Sequence, residues 1–376
     1  MDPQKTPAPV KRSLIKRWRR RLFKFLKLSD SPSVKLYNGF GNDKNCLIYG
    51  HALSVSPLGR KKYRNNFLYN TLAVLRLFIV NPIKAATLQL EWEGKVYETV
   101  SEADGFFKFE WQPEVALTPG CYSVKVNLIL KKSGNISCSA KASLTVPTPS
   151  EFAFISDIDD TFLISHSSNL RKRLFVLLTE NARSRKPFEG VVNHYRLLSN
   201  ADEKGKTANA FFYVSSSEWN LYEYIREFSR QNKLPEGVYL LNQIKMISQI
   251  FKTGQNNHSG KFTRIVRILE SFPNQQFILL GDDSQQDANI YASIVAHFHN
   301  KIFCVYIRSV NKKAKPPVVE KLKEIENAGV LTCYFNHSAD AIQHSKEVGI
   351  IDEPVPLLPP LQVGERGLHE DPFTQQ

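Results

Sequence analysis

Three carboxylates follow directly after a short apolar run near the middle of the chain. Residues 152–155 are apolar, and Asp157, Asp159 and Asp160 stand within the next five positions. Such a run is typical of a central strand in a parallel sheet that is covered on both faces. Carboxylates at one strand end repel each other unless a cation lies among them, and Mg²⁺ prefers hard oxygen ligands. The motif therefore predicts a Mg²⁺ site, with a solvated acidic turn that caps a helix as the alternative.

A second apolar run also ends in carboxylates. Residues 277–280 lead into Asp282 and Asp283, and Asp287 follows four positions after Asp283. In open α/β sheets, ligands bind outside the carboxyl ends of the strands. Both acidic ends can therefore serve one metal only if their strands are neighbours, which is what we expect.

Candidate ligands for a phosphate group occur at two further places. Residues 210–214 form a third apolar run, which ends in Ser215, Ser216 and Ser217. Their hydroxyls and backbone N–H groups suit phosphate oxygens, although serines before a helix are also common N-caps. Lys261 opens a helical apolar pattern. Because a lysine at a helix N-terminus opposes the helix dipole, a binding role is favoured there, with a surface lysine as the alternative.

Together these segments resemble the haloacid-dehalogenase superfamily of phosphatases and, within it, the actin-patch-type phosphatidate phosphatase family. The resemblance covers roughly residues 151–349. Its motifs are Asp-x-Asp-x-Thr at 157–161, Ser-x-Ser-x-Trp at 215–219 and Gly-Asp-(x)₄-Asp-(x)₃-Tyr at 281–291. The resemblance implies an α/β fold, a haloacid-dehalogenase-like doubly wound parallel sheet, preceded by a β-sandwich domain.

The resemblance also implies roles for the motif residues. Asp157 would be the nucleophile that forms an aspartyl-phosphate, and Asp159 would protonate the leaving group and then activate water. Asp287 would orient Lys261 or a metal-bound water. The groups that bind the phosphate would be Thr161, Ser215, Ser216, Ser217 and Lys261. The candidate Mg²⁺ ligands are Asp157, Asp159, Asp282, Asp283 and Asp287.

Three positions depart from the family pattern. Glu218 and Ala288 stand where the family usually has Pro, and Asp283 where it usually has Ser. None of these changes removes a catalytic group. Glu218 and Asp283 add negative charge near a phosphate site, which bears on the identity of the substrate more than on the chemistry.

The composition divides the 376 residues into four expected parts. They are a basic amphipathic segment (1–33), the β-sandwich domain (34–147), the phosphatase domain (148–349) and a Pro-rich disordered tail (350–376). In the second part, apolar–polar alternation and turn residues predict strands. These are residues 46–53, 87–92, 95–100, 106–111, 121–126 and 139–146. Residues 67–78 predict a helix inserted among them. In the third part, residues 162–209 predict a small cap over the site, with helices at 169–180 and 190–198.

The N-terminal segment carries most of the positive charge. The chain has a net charge of +14, and residues 1–28 hold ten Lys or Arg and one Asp. Within residues 11–27, apolar side chains fall on one helical stripe and basic ones on the rest of the circumference. This pattern favours a helix that lies on an anionic membrane surface. A nucleic-acid-binding arm, a targeting sequence and a solvated tail are the alternatives. The stripe consists of Leu14, Ile15, Trp18, Leu22, Phe25 and Leu26.

The remaining composition narrows the class of protein. No apolar run of 18 residues is present, which argues against a transmembrane helix, and charges interrupt every candidate secretory signal. Five scattered cysteines favour a reducing compartment, with Cys304 and Cys333 as buried thiols. His166, His194, His297 and His299 lack metal-site spacing and are expected to be structural or exposed.

These observations lead to one functional prediction. We expect a cytoplasmic Mg²⁺-dependent phosphatase, associated peripherally with membranes, that acts on a phosphorylated lipid and above all on phosphatidate. A soluble phosphomonoesterase, a nucleic-acid phosphatase and a non-catalytic membrane-binding scaffold are the alternatives. A nucleic-acid partner is disfavoured, and the oligomeric state does not follow from the sequence.

Overall fold

A computed structural model describes the chain in ten stretches. They are residues 21–26, 28–57, 75–129, 134–158, 190–199, 208–244, 246, 257–284, 286–310 and 314–351. Several predicted features lie outside these residues, namely most of the basic segment, most of the 67–78 helix, the cap helix at 169–180, His166, Asp159, Thr161 and the tail from residue 352 onward.

Among the described elements, helices and strands alternate only from β11 onward, whereas the part before β11 consists mainly of strands. The strands are β1 (Leu28–Ser29), β2 (Ser33–Leu36), β3 (Gly39–Gly41), β4 (Cys46–Pro57), β5 (Asn81–Pro82), β6 (Thr87–Trp92), β7 (Lys95–Val100), β8 (Phe106–Trp111), β9 (Gly120–Ile129), β10 (Ile136–Val146), β11 (Phe152–Asp157), β12 (Ala210–Glu218), β13 (Val238–Asn242), β14 (Gln276–Asp282), β15 (Ile302–Arg308) and β16 (Leu331–Phe335). The α-helices are α1 (residues 21–26), α2 (Val191–Ser199), α3 (Tyr222–Gln231), α4 (Asn257–Ser271), α5 (Asp287–Phe298), α6 (Pro316–Asn327) and α7 (Ser338–Glu347).

Strands β1–β10 form one largely antiparallel sheet, which we call the β part. Its main path is β1-β4-β3-β10-β9-β6-β7, and β2, β5 and β8 also pair with β4. Only the β3–β10 pair is parallel among these described pairs. In β6 and β8 the apolar residues alternate with polar ones, as a strand with one buried face requires. Their inward side chains join those of β4, β9 and β10 in one hydrophobic cluster.

The turn between β6 and β7 shows how sequence sets register in this part. Trp92 pairs with Lys95, so Glu93 and Gly94 form a two-residue hairpin loop. Both have positive φ, 49° and 79°. A two-residue hairpin of this kind favours glycine because it needs a left-handed backbone.

All six predicted strands of the β part are present. β6, β7 and β8 have the predicted bounds, whereas β4, β9 and β10 are longer. The short strands β1, β2, β3 and β5 were not predicted. Of the predicted 67–78 helix, the described residues show a 3₁₀ turn at Arg76–Phe78.

Strands β11–β16 form a parallel sheet in the order β13-β12-β11-β14-β15-β16. The apolar runs at 152–155, 210–214 and 277–280 are its central strands, and they are buried almost without alternation because helices cover a parallel sheet. β11 pairs with both β12 and β14, so the predicted neighbours are adjacent. The α/β class is therefore confirmed. The haloacid-dehalogenase fold, the sandwich class of the β part and the domain boundaries stay predictions.

One of the hydrophobic clusters joins the two parts. The cluster around the parallel sheet includes five residues that precede β9 in the chain. They are Tyr37, Phe40, Leu47, Tyr49 and Phe78. The β part therefore packs directly against the parallel sheet and its helices.

Some smaller predictions are also tested by the structure. None of the described helices is long and apolar enough to cross a membrane. All five cysteines are free thiols, with Cys304 buried and Cys333 partly exposed. His194 is buried and contacts Ser345 through Nε2 at 3.0 Å, whereas His297 and His299 are exposed. These three histidines are thus structural or exposed, as expected.

Candidate active site

The predicted carboxylates converge at one edge of the parallel sheet. Ser156 of β11 pairs with Leu280 of β14, and each strand then ends one or two residues later, at Asp157 and Asp282. Neither aspartate is accessible to solvent. Two buried carboxylates on adjacent strand ends would destabilise the fold unless cations or hydrogen-bond donors compensate them.

Lys261 supplies a positive charge at this edge. Its Nζ lies 2.8 Å from Oδ1 of Asp157 and also forms an ion pair with Asp287. Lys261 belongs to the first turns of α4, which begins at Asn257, four residues earlier than the sequence pattern indicated. Burial alone lowers the pKa of Lys261, but the charges of Asp157 and Asp287 raise this pKa above its ordinary value. Lys261 is therefore a buried ammonium group and not a surface lysine.

Asp287 links Lys261 to the end of β14. Its Oδ2 accepts a hydrogen bond from the backbone N–H of Asp282 at 3.2 Å. A Cβ atom on Gly281 would lie 2.7 Å from Oδ2 of Asp287 and 2.9 Å from the Tyr291 ring. Tyr291 in turn donates to the backbone carbonyl of Leu280 at 2.9 Å. These contacts explain the glycine, the second aspartate and the tyrosine of the Gly-Asp-(x)₄-Asp-(x)₃-Tyr motif.

The serines lie at the end of β12 and do not cap a helix. β12 continues to Glu218, with an irregular register after Val214. Ser215 is fully buried, and its Oγ accepts a hydrogen bond from the backbone N–H of Ser217 at 2.8 Å. The N-cap of the following 3₁₀ turn is Glu218, without a side-chain cap. The N-cap alternative for Ser216 and Ser217 is therefore wrong.

The carboxylate of Asp283 contacts groups on and next to the outer strands β15 and β16. Its Oδ1 accepts from the backbone N–H of Val310 at 3.1 Å and from Lys315 Nζ at 3.2 Å. Its Oδ2 accepts from the Tyr334 hydroxyl at 2.8 Å. Because these partners satisfy both oxygens, a structural role is favoured over the predicted role as a Mg²⁺ ligand. Lys315 also compensates the extra negative charge of Asp283.

The sequence patterns missed three residues around this edge. Tyr195 of α2 has its hydroxyl 2.8 Å from Oγ of Ser156. Arg264 donates from Nη2 to the backbone carbonyl of Ser215 at 3.1 Å. Arg308 is the register partner of Asp282 and is 9% exposed. Burial lowers the pKa of Arg308, and the Tyr195 and Asp282 groups oppose that effect. The position of Arg308 at the end of the apolar run 302–307 was the available signal.

The donor set suits a hard divalent cation. Asp157 and Asp282 provide carboxylate oxygens, and Mg²⁺ typically takes one or two protein carboxylates together with substrate phosphate oxygens. Within the described stretches, no group of three or more His, Cys, Asp or Glu side chains could hold a metal ion. Asp159, the third predicted ligand, and Thr161, a predicted phosphate ligand, lie outside those stretches.

Parts of this chain are similar in sequence to known proteins. Residues 152–309 match the sequence family described as the catalytic domain of phosphatidate phosphatase APP1. Phosphatidate phosphatase APP1 of Saccharomyces cerevisiae is 27% identical over 161 residues, which are 43% of this chain and 26% of that protein. An uncharacterised Schizosaccharomyces pombe protein is 23% identical over 266 residues, 68% of this chain and 42% of that protein. The chain thus spans less than half the length of either relative.

The chain also aligns with parts of solved structures. A carbohydrate acetylesterase from Xanthomonas citri aligns with 85% of this chain and 73% of that chain, at 10% identity. The TM-score is 0.34. That value is too low for the alignment to support an argument about fold or function.

Proposed function

We propose that the chain is a Mg²⁺-dependent lipid phosphatase. Residues 152–309 match the family described as the catalytic domain of phosphatidate phosphatase APP1, a phosphoric monoester hydrolase. Phosphatidate is the first substrate proposed, with diacylglycerol and phosphate as the products. The observation that carries the proposal is the buried cluster of Asp157, Lys261 and Asp287 beside Asp282. In this cluster, the carboxylate that we propose as the nucleophile lies next to a cation that suits phosphoryl oxygens.

The fold assignment forms part of the same proposal. We assign the parallel sheet to the haloacid-dehalogenase class and the β part to the sandwich class. The strand order around β11 supports the first assignment, because it gathers all motif strand ends at one edge. The single hydrophobic cluster of β4, β6, β8, β9 and β10 supports the second.

The proposed reaction proceeds in two displacements. Asp157 attacks phosphorus, the ester P–O bond breaks, and an aspartyl-phosphate forms while Asp159 gives its proton to the leaving alkoxide. Asp159 then takes a proton from water, which attacks phosphorus and releases inorganic phosphate and free Asp157. The role of Asp159 rests on the family resemblance.

The surrounding residues bind and neutralise charge. Lys261 compensates Asp157 and, because its pKa is raised, stays protonated at neutral pH to hold a phosphoryl oxygen. Ser215 and the backbone around it would bind the other oxygens. Asp157 and Asp282, with Asp159, would hold Mg²⁺, which when bound neutralises the charge of the transferring phosphoryl group.

One assay tests the proposal. Phosphate release with Mg²⁺ is measured on phosphatidate vesicles, a soluble monoester and a 5′-phosphorylated oligonucleotide. We expect the vesicles to be turned over fastest, and Asp157→Asn to abolish turnover because an amide cannot attack phosphorus. Fastest turnover of the monoester or the oligonucleotide would replace the lipid assignment. Lack of turnover on all three would leave the scaffold alternative.

We further propose that residues 11–27 hold the protein on the cytoplasmic face of an anionic membrane. The support is that residues 21–26 are helical and that Leu22 and Phe25, both on the predicted stripe, are 53% and 69% exposed. Each basic residue near such a surface contributes about 1 kcal/mol, so binding should weaken steeply with salt.

Vesicle sedimentation tests this membrane contact. Deletion of residues 1–27 ends before β1 and should cut vesicle binding and vesicle turnover, while turnover of a soluble monoester stays the same. Phe25→Glu should weaken vesicle binding, whereas Val115→Glu, a matched change at an exposed apolar residue of the β part, should not. Tighter binding to oligonucleotides than to anionic vesicles at equal salt would assign the segment to nucleic acid.

A further inference from the structure

An aromatic stack joins the β part to the Ser-x-Ser-x-Trp motif. The Tyr37 and Trp219 rings lie 4.0 Å apart between centroids, at an interplanar angle of 14°. Tyr37 is 4% exposed and Trp219 is 6% exposed. Tyr222 contacts both rings, with its ring centroid 4.7 Å from that of Tyr37 and 5.8 Å from that of Trp219. Trp219 follows the predicted phosphate ligand Ser215 by four residues along the chain.

Hydrogen bonds fix the turn that carries Trp219. The Trp219–Leu221 segment forms a 3₁₀ turn between β12 and α3. Asn220 donates from Nδ2 to the backbone carbonyl of Leu77 at 3.0 Å. Just beyond the turn, the Tyr222 hydroxyl accepts from the backbone N–H of Asn38 at 2.9 Å. The β part therefore holds the turn from two places in addition to the stack.

The helix that carries Lys261 is also attached to the β part. Lys261, Arg264 and Arg267 recur every three residues and so lie near one face of α4. Arg264 binds the backbone carbonyl of Ser215, and Arg267 Nη1 lies 3.6 Å from Oε2 of Glu110 on β8. At the end of α4, the backbone carbonyl of Ser271 accepts a hydrogen bond from Nδ2 of Asn42.

An apolar contact lies between these two attachments. Phe40 of β3 is fully buried. Its ring centroid lies 5.5 Å from that of Phe212 on β12 and 5.9 Å from that of Phe272 after α4. Close-packed aromatic rings transmit displacement instead of absorbing it. The β part thus contacts both β12 and the α4 region, which supply predicted phosphate ligands.

We infer that the β part positions Ser215 and Lys261 and is therefore a component of the catalytic unit. Tyr37 is the positioning residue, and it acts through Trp219. The inference rests on the proposed function for the identity of the group that Ser215 and Lys261 bind. A small displacement of such ligands matters because misplacement by about 1 Å can cost roughly 10²-fold in rate.

Three full-length variants separate positioning from stability. Tyr37→Ala removes the stack, and Tyr37→Phe keeps the ring. Phe109→Ala opens a cavity of similar kind in the cluster inside the β part, where Phe109 packs on Phe107. Hydrogen exchange of the 211–221 backbone and kcat/KM on a soluble monoester are measured well below the unfolding temperature of every variant, with inorganic phosphate as a competitive inhibitor.

The expected pattern is specific to the stack. Tyr37→Ala should speed exchange in 211–221 at least tenfold, lower kcat/KM roughly 10- to 100-fold and weaken inhibition by phosphate. Phe109→Ala and Tyr37→Phe should stay within about threefold of the wild type in all three readouts. Equal effects of Tyr37→Ala and Phe109→Ala would overturn the inference. A wild type without phosphatase activity would refute the proposed function instead, and exchange of 211–221 would still decide whether Tyr37 positions the motif.

Discussion

The Nζ atom of Lys261 lies 2.8 Å from Oδ1 of Asp157, and both side chains are almost completely buried. A second carboxylate, that of Asp287, contacts the same ammonium group. Buried ion pairs add little net stability compared with apolar side chains, but removal of one partner leaves a buried charge uncompensated. This buried cluster therefore adds little stability of its own, which favours a functional reason for it. Removal of one of its charges should destabilise the fold.

Lys261→Met should abolish phosphatase activity and lower the free energy of unfolding by about 3–5 kcal/mol, because two buried carboxylates lose their cation. Urea unfolding measures the loss. The matched control is Lys321→Met, which removes an exposed pair with Glu324 and should cost less than about 1 kcal/mol. In the double variant with Asp287→Asn, part of the loss should be recovered. If the losses in free energy of unfolding of the two single variants simply added in the double variant, Lys261 and Asp287 would not interact energetically.

Asp282→Asn should weaken Mg²⁺ binding without unfolding the protein. An amide oxygen is neutral, so it holds a divalent cation less strongly than a carboxylate does. Titration calorimetry with Mg²⁺ on the wild type and the variant measures the affinity directly, independently of turnover. Ca²⁺ should compete for the site and inhibit, since it accepts more ligands and a looser geometry than in-line transfer tolerates. Unchanged Mg²⁺ affinity in Asp282→Asn would remove Asp282 from the metal site.

The site strands were predictable because a covered parallel sheet leaves a local pattern. Uninterrupted apolar runs marked β11, β12 and β14, and the polar residues that follow them marked the carboxyl edge. The pairing of β11 with β14 was predicted from the hypothesis that their carboxylates share one cation. In the β part, alternation marked β6 and β8 for the same kind of local reason.

The remaining features depend on contacts between distant residues. Asn38 and Tyr222 are 184 positions apart, and no local pattern connects them. Strands such as β1 and β5 contain two residues, which is too short for any alternation to appear. The partner of Asp283 could not be foreseen either, since Lys315 and Tyr334 approach it only once β15 and β16 pair.

Asp283→Ser, which restores the usual family residue, should leave Mg²⁺ affinity and kcat within about threefold of the wild type, if Asp283 is structural as its contacts indicate. It should lower the free energy of unfolding by about 1–3 kcal/mol, because the partly buried N–H group of Val310 loses its acceptor and Tyr334 loses its partner. Tyr334→Phe is the matched control and should cost part of the same amount. A large fall in Mg²⁺ affinity in Asp283→Ser would return Asp283 to the metal site.

His51 makes the stability of the β part sensitive to acid. Its Nδ1 lies 2.9 Å from the Tyr37 hydroxyl, and its ring packs edge-on against Phe106. Burial lowers the pKa of His51 to about 4, from an ordinary value of 6.5, although the charge of Asp104 opposes this effect. His51 is therefore neutral in the folded protein at pH 5, whereas it is mostly protonated in the unfolded chain.

The sign of the effect follows from these two values. Between pH 6.5 and 4 the unfolded chain binds the proton more strongly, so the stability that neutral His51 provides is complete above pH 6.5 and falls as the pH decreases. None of this stabilisation remains once the pH is below the pKa of His51 in the folded protein. The asparagine of the His51→Asn variant does not titrate in this range and can still offer an acceptor to the Tyr37 hydroxyl. Between pH 6.5 and 4.5, the free energy of unfolding of this variant should therefore fall by roughly 2 kcal/mol less than that of the wild type.

Urea unfolding at several pH values between 7.5 and 4.5 measures this difference. His194→Gln is the matched control in the parallel-sheet part, because burial lowers the pKa of His194 to about 3 and its Nε2 contacts Ser345. Each single variant should remove its own share of the acid-induced loss, and the two shares should add, since the histidines share no partner among these contacts. If the free energy of unfolding of His51→Asn depended on pH as steeply as that of the wild type, the imidazole beside Tyr37 would be reached by water or protonated in the folded protein.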